Sequence, residues 1–369
     1  MSITHNVSEK KDTKYWVALS AFLKFGPRRF QLLQEYFPTM QNAFYADAAT
    51  LRQAGIAEAA AAEFAAWRRL IDPDTEMAKL ERENIAVVTV ADNHYPALLK
   101  ETYDAPPVLY YQGDLSVNTA LAIAVVGSRK YSAYGQRATE RIVGGCAQAG
   151  ISIVSGLALG IDTLAHQAAL ANSGRTVAVL GSGINRIYPA ANFGLAREIM
   201  EQGGLLLSEF PYGAPALKHH FPQRNRVIAG LCAGTLVIEA SEKSGALITA
   251  RHALEANRDV FAVPGDIFHP NAAGVNALIK NGAILTATAQ DVLNGLGVTD
   301  VKATVMARTA LPQTENEKRI AAVLNAEAKH INQLARLLTL DTPTVNATLL
   351  TMELKGLVRN LGGGNYVLS

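Results

Sequence analysis

The chain has 369 residues, 49% of them hydrophobic and 18% charged, a length for two or three domains and a composition for a soluble globular protein with a large core. Its 34 Lys and Arg against 32 Asp and Glu leave a formal net charge of +2, which excludes a generally basic polyanion binder and confines any nucleic-acid surface to a local patch. No apolar run approaches the ~20 residues that cross a bilayer, and the two cysteines, Cys146 and Cys232, read as reduced, buried thiols in apolar helical contexts without metal spacing, so a cytoplasmic protein with no membrane contact, no metal and no cofactor is expected.

Residues 1–13 read as a loose polar tail with no secretory apolar core. Residues 14–72 are helical in pattern throughout, with breaks at Phe25-Gly26-Pro27 and Ala54-Gly55-Ile56. Lys24, Arg28 and Arg29 gather near the start of the second helix. The alanine-rich stretch 57–66 supports helix and nothing more. This region resembles a helix-hairpin-helix or sterile-alpha-motif (SAM)-like domain. Such a module can turn backbone amides and basic side chains to a phosphate, or serve only to dock a partner.

Asp72-Pro73-Asp74 leads into a second domain, residues 73–297. A strand is expected at 85–90. Residues 95–110, with a Pro106-Pro107 pair that disfavours helix, read as a layer covering the central domain. From 121 to 296, short β-branched runs alternate with helical patterns: 123–127, 151–154, 176–180, 205–207, 235–239 and 259–263. Runs apolar on both faces imply a mainly parallel sheet covered on both sides. The expected fold class is therefore α/β, an extended Rossmann-like doubly wound sheet whose ligands lie at the carboxyl ends of its strands. Those ends carry Gly127-Ser128-Arg129, Ser155-Gly156, Gly181-Ser182-Gly183 and Ser244-Gly245. Glycine admits a ligand to the backbone and the following helix supplies amides, so a row of anion sites along one edge is expected. The alternative is ordinary turn chemistry; Arg129 argues against it, since a guanidinium at a strand tip has little to do in a core.

Residues 216–231 concentrate the remaining chemistry. Lys218, Arg224 and Arg226 supply charge, and His219, His220 and Phe221 supply flat rings. Pro222 suits the first helical position. Cations beside rings on a rigid mount fit phosphates and unpaired bases, with Asn225 in the same turn. Arg224 and Arg226 project about 200° apart on a helix; one is expected to reach a nucleic acid and the other to tie the loop down, and the spacing leaves open which.

Several enzyme signatures are missing. Gly181-Ser182-Gly183 lacks the third glycine of a dinucleotide fingerprint, no Walker loop occurs, and Gly-x-Ser-x-Gly is absent. Asp162 and His166 lie four apart on one helix, a spacing open to an acid–base pair; the favoured reading is that Asp162 caps its helix and His166 packs behind it. Glu239, the best lone carboxylate at a strand tip, is open to a catalytic role or to pairing with Arg224 or Arg226, and the ion pair is the expectation. A linker is expected at 298–312, then a final domain, 313–369, of three helices (317–324, 331–338 and 343–354) and a hairpin (357–368). This resembles a winged helix, whose third helix would enter a major groove. That helix has no basic side chain, which argues for docking or support.

The ordered set Val126-Gly127-Ser128-Arg129, Ser155-Gly156-Leu157-Ala158, Gly160-Ile161-Asp162, Ala165-His166, Leu180-Gly181-Ser182-Gly183, Tyr188-Pro189, Ser208-Glu209, His220-Phe221-Pro222-x-Arg224-Asn225-Arg226, Ser244-Gly245-x-Leu247-Ile248-Thr249 and Val263-Pro264-Gly265 resembles the DprA/Smf family, the DNA-processing proteins of natural transformation. The resemblance implies a non-catalytic mediator that binds and protects incoming single-stranded DNA, coexists with or displaces single-strand-binding protein, loads RecA, and forms homodimers through the Rossmann-like domain. It also implies that Arg129 and Lys218 hold phosphates and Phe221 a base. Leu159, Asn185 and Ala246 depart from the family's usual residues. Two rivals stand beside this reading: a Rossmann-like nucleotide or nucleoside-phosphate hydrolase of the lysine-decarboxylase-like type, suggested by Gly234-Thr235 and Glu239, and an interaction scaffold without DNA contact.

Overall fold

The computed structural model describes residues 4–116, 121–298, 314–324, 329–354 and 357–368; the expected linker, from 299 on, lies outside them. The chain divides into two compact units, Met1–Gly297 and Val298–Ser369.

The first unit opens with helices α1 (Thr4–Ser20), α2 (Pro27–Tyr36), α3 (Met40–Tyr45), α4 (Ala48–Gln53), α5 (Glu58–Trp67) and α6 (Pro73–Arg82). The glycine-proline break begins α2, with Gly26 as N-cap and Pro27 in the first turn, where its missing N–H is no loss. Where a loose tail was expected through residue 13, α1 already starts at Thr4. Its Asp12 accepts from the amides of Met40 and Gln41, which gives a polar residue a structural task that composition could not show. Phe22, Phe25, Phe44, Phe64 and Trp67 form a ring cluster with centroids 4.8–6.1 Å apart. This core is continuous with Val108, Tyr110, Leu180 and Leu206 of the sheet, so the helical region is packed onto the sheet rather than set apart from it.

The sheet comprises β1 (Ala86–Thr89), β2 (Val108–Gly113), β3 (Ala122–Val126), β4 (Ser152–Ser155), β5 (Thr176–Leu180), β6 (Leu205–Ser208), β7 (Gly234–Val237), β8 (Asp259–Ala262) and β9 (Ile284–Leu285). The strand order is β1-β2-β6-β5-β4-β3-β7-β8-β9. Strands β3 to β9 pair in parallel, while β1 and β2 are antiparallel additions at one edge. The expected covering layer therefore supplies a strand: the prolines block helix, and Val108 to Tyr110 are buried, paired with β1 and, from Tyr110 on, with β6. Between these strands run α7 (Ala97–Lys100), α8 (Ala133–Gln148), α9 (Ile161–Ala171), α10 (Phe193–Glu201), α11 (His220–Gly230), α12 (Ala246–Glu255) and α13 (Ala273–Lys280), and α14 (Ala289–Gly295) follows β9. Strand order reverses at β3 and β7. That opens a crevice outside their carboxyl ends, the place where doubly wound sheets bind ligands. Both thiols are buried and unbridged; Cys232 lies just past α11 rather than in a helix.

The second unit has its own core of Ile320, Leu334, Leu338, Val345, Leu349, Met352, Leu357, Val358 and Tyr366. Helices α15 (Glu315–Val323), α16 (Ile331–Leu338) and α17 (Thr342–Leu354) pack with strands β10 (Lys329–His330), β11 (Val358–Gly362) and β12 (Asn365–Leu368), ordered β10-β12-β11. This is a winged helix. Asp341 caps α17 by accepting from the Thr344 amide at 2.6 Å.

Phe64 is fully buried at the centre of the ring cluster. Phe64→Ala is expected to cost ~3–5 kcal/mol in urea unfolding followed by the fluorescence of Trp16 and Trp67. A loss below about 1 kcal/mol, the size of an ordinary surface change, would show that the cluster does not support this unit.

Candidate nucleic-acid interface

The first wall of the crevice is the turn after β3. Ser128 closes it on itself, accepting from the Lys130 amide at 3.1 Å and donating to the Lys130 carbonyl at 2.9 Å. Ile161, at the start of α9, donates its amide to the Ser128 carbonyl at 3.1 Å. Gly160 makes this approach possible: its φ is +91°, and a Cβ there would sit 2.6 Å from Arg129 Cα. With the turn fixed from behind, the Arg129 side chain is left exposed.

The second wall is the start of α11. The helix begins at His220, so Pro222 is its third residue rather than its first. The ring of His220 stacks on Phe210 at 4.0 Å and 18°, and that packing draws the helix start forward. Burial, with His219 beside it, lowers the His220 pKa. Pro222 is still tolerated, because first-turn amides have no intrahelical acceptor.

Arg224 and Arg226 are both buried, 3% and 8% exposed. Arg224 Nη1 donates to the carbonyls of Gly156, at 2.5 Å, and Val179. Burial lowers its pKa to about 10, opposed by the nearby Asp162 carboxylate. Arg226 pairs with buried Glu209 and with Asp104. The expectation that one arginine is free for a ligand is thus replaced: both guanidinia are committed to protein groups, and they do point to different partners. Asp162 does not cap α9, whose N-cap is Gly160. Its carboxylate accepts from the amides of Gly156, at 3.1 Å, and Ala158, at 3.4 Å. Burial raises its pKa, against the pull of Arg224. Glu239 does not pair with an arginine either; it accepts from the Ser132 amide at 3.0 Å and from the Ser132 hydroxyl, at the start of α8. Lys24 and Arg29, in the helical region, are held by Glu63 and by the Lys24 carbonyl, and Arg28 donates to the Tyr103 hydroxyl at 3.0 Å.

Gly127, Ser128, Arg129, Lys218, Phe221, Arg224, Asn225, Ser244 and Gly245 line one open cleft of about 570 Å³. The Arg129 guanidinium lies 5.9 Å from the centroid of the Phe221 ring, within cation–π range. Lys218 is exposed and Phe221 half-buried. Tyr188 stands 5.5 Å from Phe221; no role was read for it in the sequence, because its loop lies far along the chain. Thr249, one helical turn beyond Gly245, also lines the cleft.

The other two glycine loops do not open here. Ser155 donates to the Val125 carbonyl at 2.7 Å, and Ser182 to the Arg186 carbonyl at 2.5 Å. Gly156 lies against Arg224, Gly181 under Phe221, and Gly183 against the backbone of 211–214. Their small residues let protein, not ligand, come close. The expected row of four anion loops therefore contracts to two, after β3 and before α12.

These features define a Rossmann-like protein with a cation-rimmed, aromatic-floored cleft at its switch point and a winged helix in a second unit. Residues 86–297 match the family model of DNA recombination-mediator protein A, and residues 304–364 match the DprA winged helix domain. The chain belongs to the DNA recombination-mediator protein A (DprA/Smf) family. Protein Smf of Escherichia coli (strain K12) is 43% identical over 250 residues, 68% of this chain and 67% of that protein. The crystal structure of DNA processing protein A from Streptococcus pneumoniae superposes with a TM-score of 0.65 at 39% identity, covering 76% of this chain and 95% of that one. That of the Helicobacter pylori protein, described for its single-stranded DNA binding mode, gives 0.53 at 29% identity, covering 58% and 96%. Among the described residues no helix is long and apolar enough to cross a membrane.

Gly160→Ala should push the turn after β3 out of place and weaken whatever Arg129 binds, without unfolding the sheet; the check is ligand affinity beside the circular dichroism spectrum. A second expectation concerns His166, fully buried behind the cleft. Thr176 Oγ1 donates to the Ile153 carbonyl, so it accepts from His166 Nδ1–H at 2.7 Å, which leaves Nε2 bare. Burial lowers the His166 pKa to about 3 from 6.5. A lowered base is protonated first in the unfolded chain, so its contribution is complete above pH 6.5 and is lost progressively as pH falls toward 3. Between pH 7 and pH 5 this amounts to about 2 kcal/mol. His166→Gln should reduce the pH dependence of urea unfolding over that interval by this amount.

Proposed function

We propose that this protein binds single-stranded DNA in the cleft, with Arg129 and Lys218 at phosphates and a base on Phe221, and that it acts without catalysis as a mediator of recombination. The observation that carries the reading is the convergence of two exposed cations and a half-buried ring on one cleft. Unpaired bases offer a face for stacking on the ring, and the cations track the backbone. The single-stranded DNA bound by the Helicobacter pylori relative supports the same ligand here. Family membership supports the remaining steps: processing of incoming DNA in natural transformation, its protection alongside single-strand-binding protein, its transfer to RecA, and homodimer formation through the Rossmann-like unit. Helix α17 carries no Lys or Arg, so the winged helix is assigned a docking or supporting role rather than duplex reading.

Fluorescence anisotropy with a labelled oligothymidylate at several salt concentrations tests this. Arg129→Ala and Lys218→Ala should each reduce the slope of log affinity against log salt by about 0.7. Phe221→Ala should weaken binding by ~1–3 kcal/mol with little change in the salt slope. Binding equal to the parent's in all three variants would refute the assignment.

A further inference from the structure

Beyond the cleft, the chain leaves the turn after β3 through Arg129, Lys130 and Tyr131, all exposed, and enters α8 at its N-cap, Ser132. The backbone of this bridge is held on both sides. The Ser128 hydroxyl takes the Lys130 amide and donates to the Lys130 carbonyl, and Asn271 Nδ2 donates to that same carbonyl at 2.7 Å. Tyr134, in the first turn of α8, is pinned in turn: its hydroxyl donates to the Pro264 carbonyl at 2.7 Å, while the residue stays 46% exposed. The way from the cleft rim onto α8 is therefore a fixed step, not a loose loop.

Helix α8 is two-faced beyond that step. Its buried side carries Thr139, Ile142, Val143 and Cys146. At about 100° per residue, Tyr134, Arg137 and Arg141 fall within about 60° of arc on the opposite side, and both arginines are exposed. Among the described residues neither arginine has an ion-pair or hydrogen-bond partner. The acid beside them in sequence, Glu140, accepts from Gln136 Nε2 at 2.9 Å instead. Several exposed cations on other helices are matched: Lys24 by Glu63, Arg52 by Glu58 and Arg197 by Glu201. Like charges four apart on a helix repel, and an anion laid along them removes that cost.

We infer that the solvent face of α8 is a second single-strand contact: a strand gripped in the cleft continues over Arg129, Lys130 and the Tyr134 ring and lays its phosphates along Arg137 and Arg141. This rests on the DNA-binding reading of the cleft and extends it to residues outside that cleft. Two observations select the occupant. The stripe is continuous with the cleft, because Arg129 stands at the cleft rim and Lys130 follows it. It also interleaves unpaired cations with exposed rings, Tyr131 at 42% and Tyr134 at 46%, as surfaces that track unpaired nucleotides do. An acidic peptide would satisfy the charges but make no use of the rings. The contact acts only on strands longer than the cleft, so it gives affinity that grows with strand length and falls with salt.

The test is anisotropy on the full chain with a length series of labelled oligothymidylates at several salt concentrations, with thermal midpoints measured alongside. The parent is compared with the double variant Arg137→Gln/Arg141→Gln, with Arg129→Ala, and with the control pair Arg52→Gln/Arg197→Gln, which removes the same formal charge from two paired surface arginines. Glutamine keeps nearly the helix propensity of arginine. For strands that fill only the cleft, the α8 double variant should bind like the parent. For longer strands its salt slope should be lower by about 1.4, twice the ~0.7 of a single phosphate contact, with its midpoint unchanged or raised. The control pair should match the parent at every length. A labelled oligoglutamate probes the acidic-peptide alternative. Parent-like binding of long strands by the α8 double variant, while Arg129→Ala loses affinity, would overturn the second contact and leave the cleft reading intact; a loss of oligoglutamate binding alongside would give the face to an acidic peptide. Equal losses in the α8 and control pairs would assign the effect to overall charge, and a loss at every length with a lowered midpoint would assign it to folding; either overturns the contact. Parent-like binding at all lengths by both the α8 double variant and Arg129→Ala would overturn the cleft reading itself.

Discussion

The cleft depends on one buried guanidinium. Arg224 reaches from α11 to the carbonyls of Gly156 and Val179, which belong to the ends of two adjacent strands. An unpaired buried arginine would be prohibitively costly; two carbonyls and the field of Asp162 offset that cost. The consequence is positional. Phe221 lies three residues before Arg224, on the same face of the helix, so fixing the arginine fixes the ring. Lys218 precedes that turn, and Arg129 faces the ring from the other wall. The residue at the base of the site is therefore a fastener, and the residues at the rim are free.

The distribution of charge follows the same division of labour. The molecule is nearly neutral overall, and most of the charged groups close to the cleft are cancelled internally: Arg226 by Glu209 and Asp104, Arg224 by carbonyls and Asp162. The start of α8 receives Glu239. What is left exposed at the cleft includes the rim cations Arg129 and Lys218. A near-neutral protein can attract a polyanion only through such a local imbalance, and internal neutralisation of the surrounding groups gives that imbalance its shape.

The two units differ in how they are held. The helical region shares its apolar core with the sheet, including Leu180 of β5 and Leu206 of β6. The winged helix has a core of its own. Basic residues of the helical region, which by composition could grip a phosphate, instead bond protein groups: Lys24 to Glu63, Arg28 to Tyr103 and Arg29 to the Lys24 carbonyl.

Much of the fold was legible along the chain. Alternating β-branched runs and helical patterns determined a doubly wound parallel sheet, because side-chain periodicity is a local property that burial on both faces leaves in the sequence. Arg129, Lys218 and Phe221 were likewise singled out by their types in loops next to glycine and proline, and the fold brings all three to one cleft. Other matters belonged to the tertiary structure alone. Which glycine loops open and which close on protein depends on what packs behind them: Ser155 and Ser182 sit in loops as polar as that of Ser128, yet face inward. Most partners of Arg224, Arg226 and Glu239 are 17 to 122 residues away, and a hydrogen bond across the fold leaves no spacing to read. The strand at 108–113 was hidden for the same reason, since an antiparallel strand between β1 and β6 is defined by its neighbours, not by its own pattern. The sequence by itself determined which chemistry was present and on which edge it would gather; only the folded chain decided which of those groups are left without an internal partner.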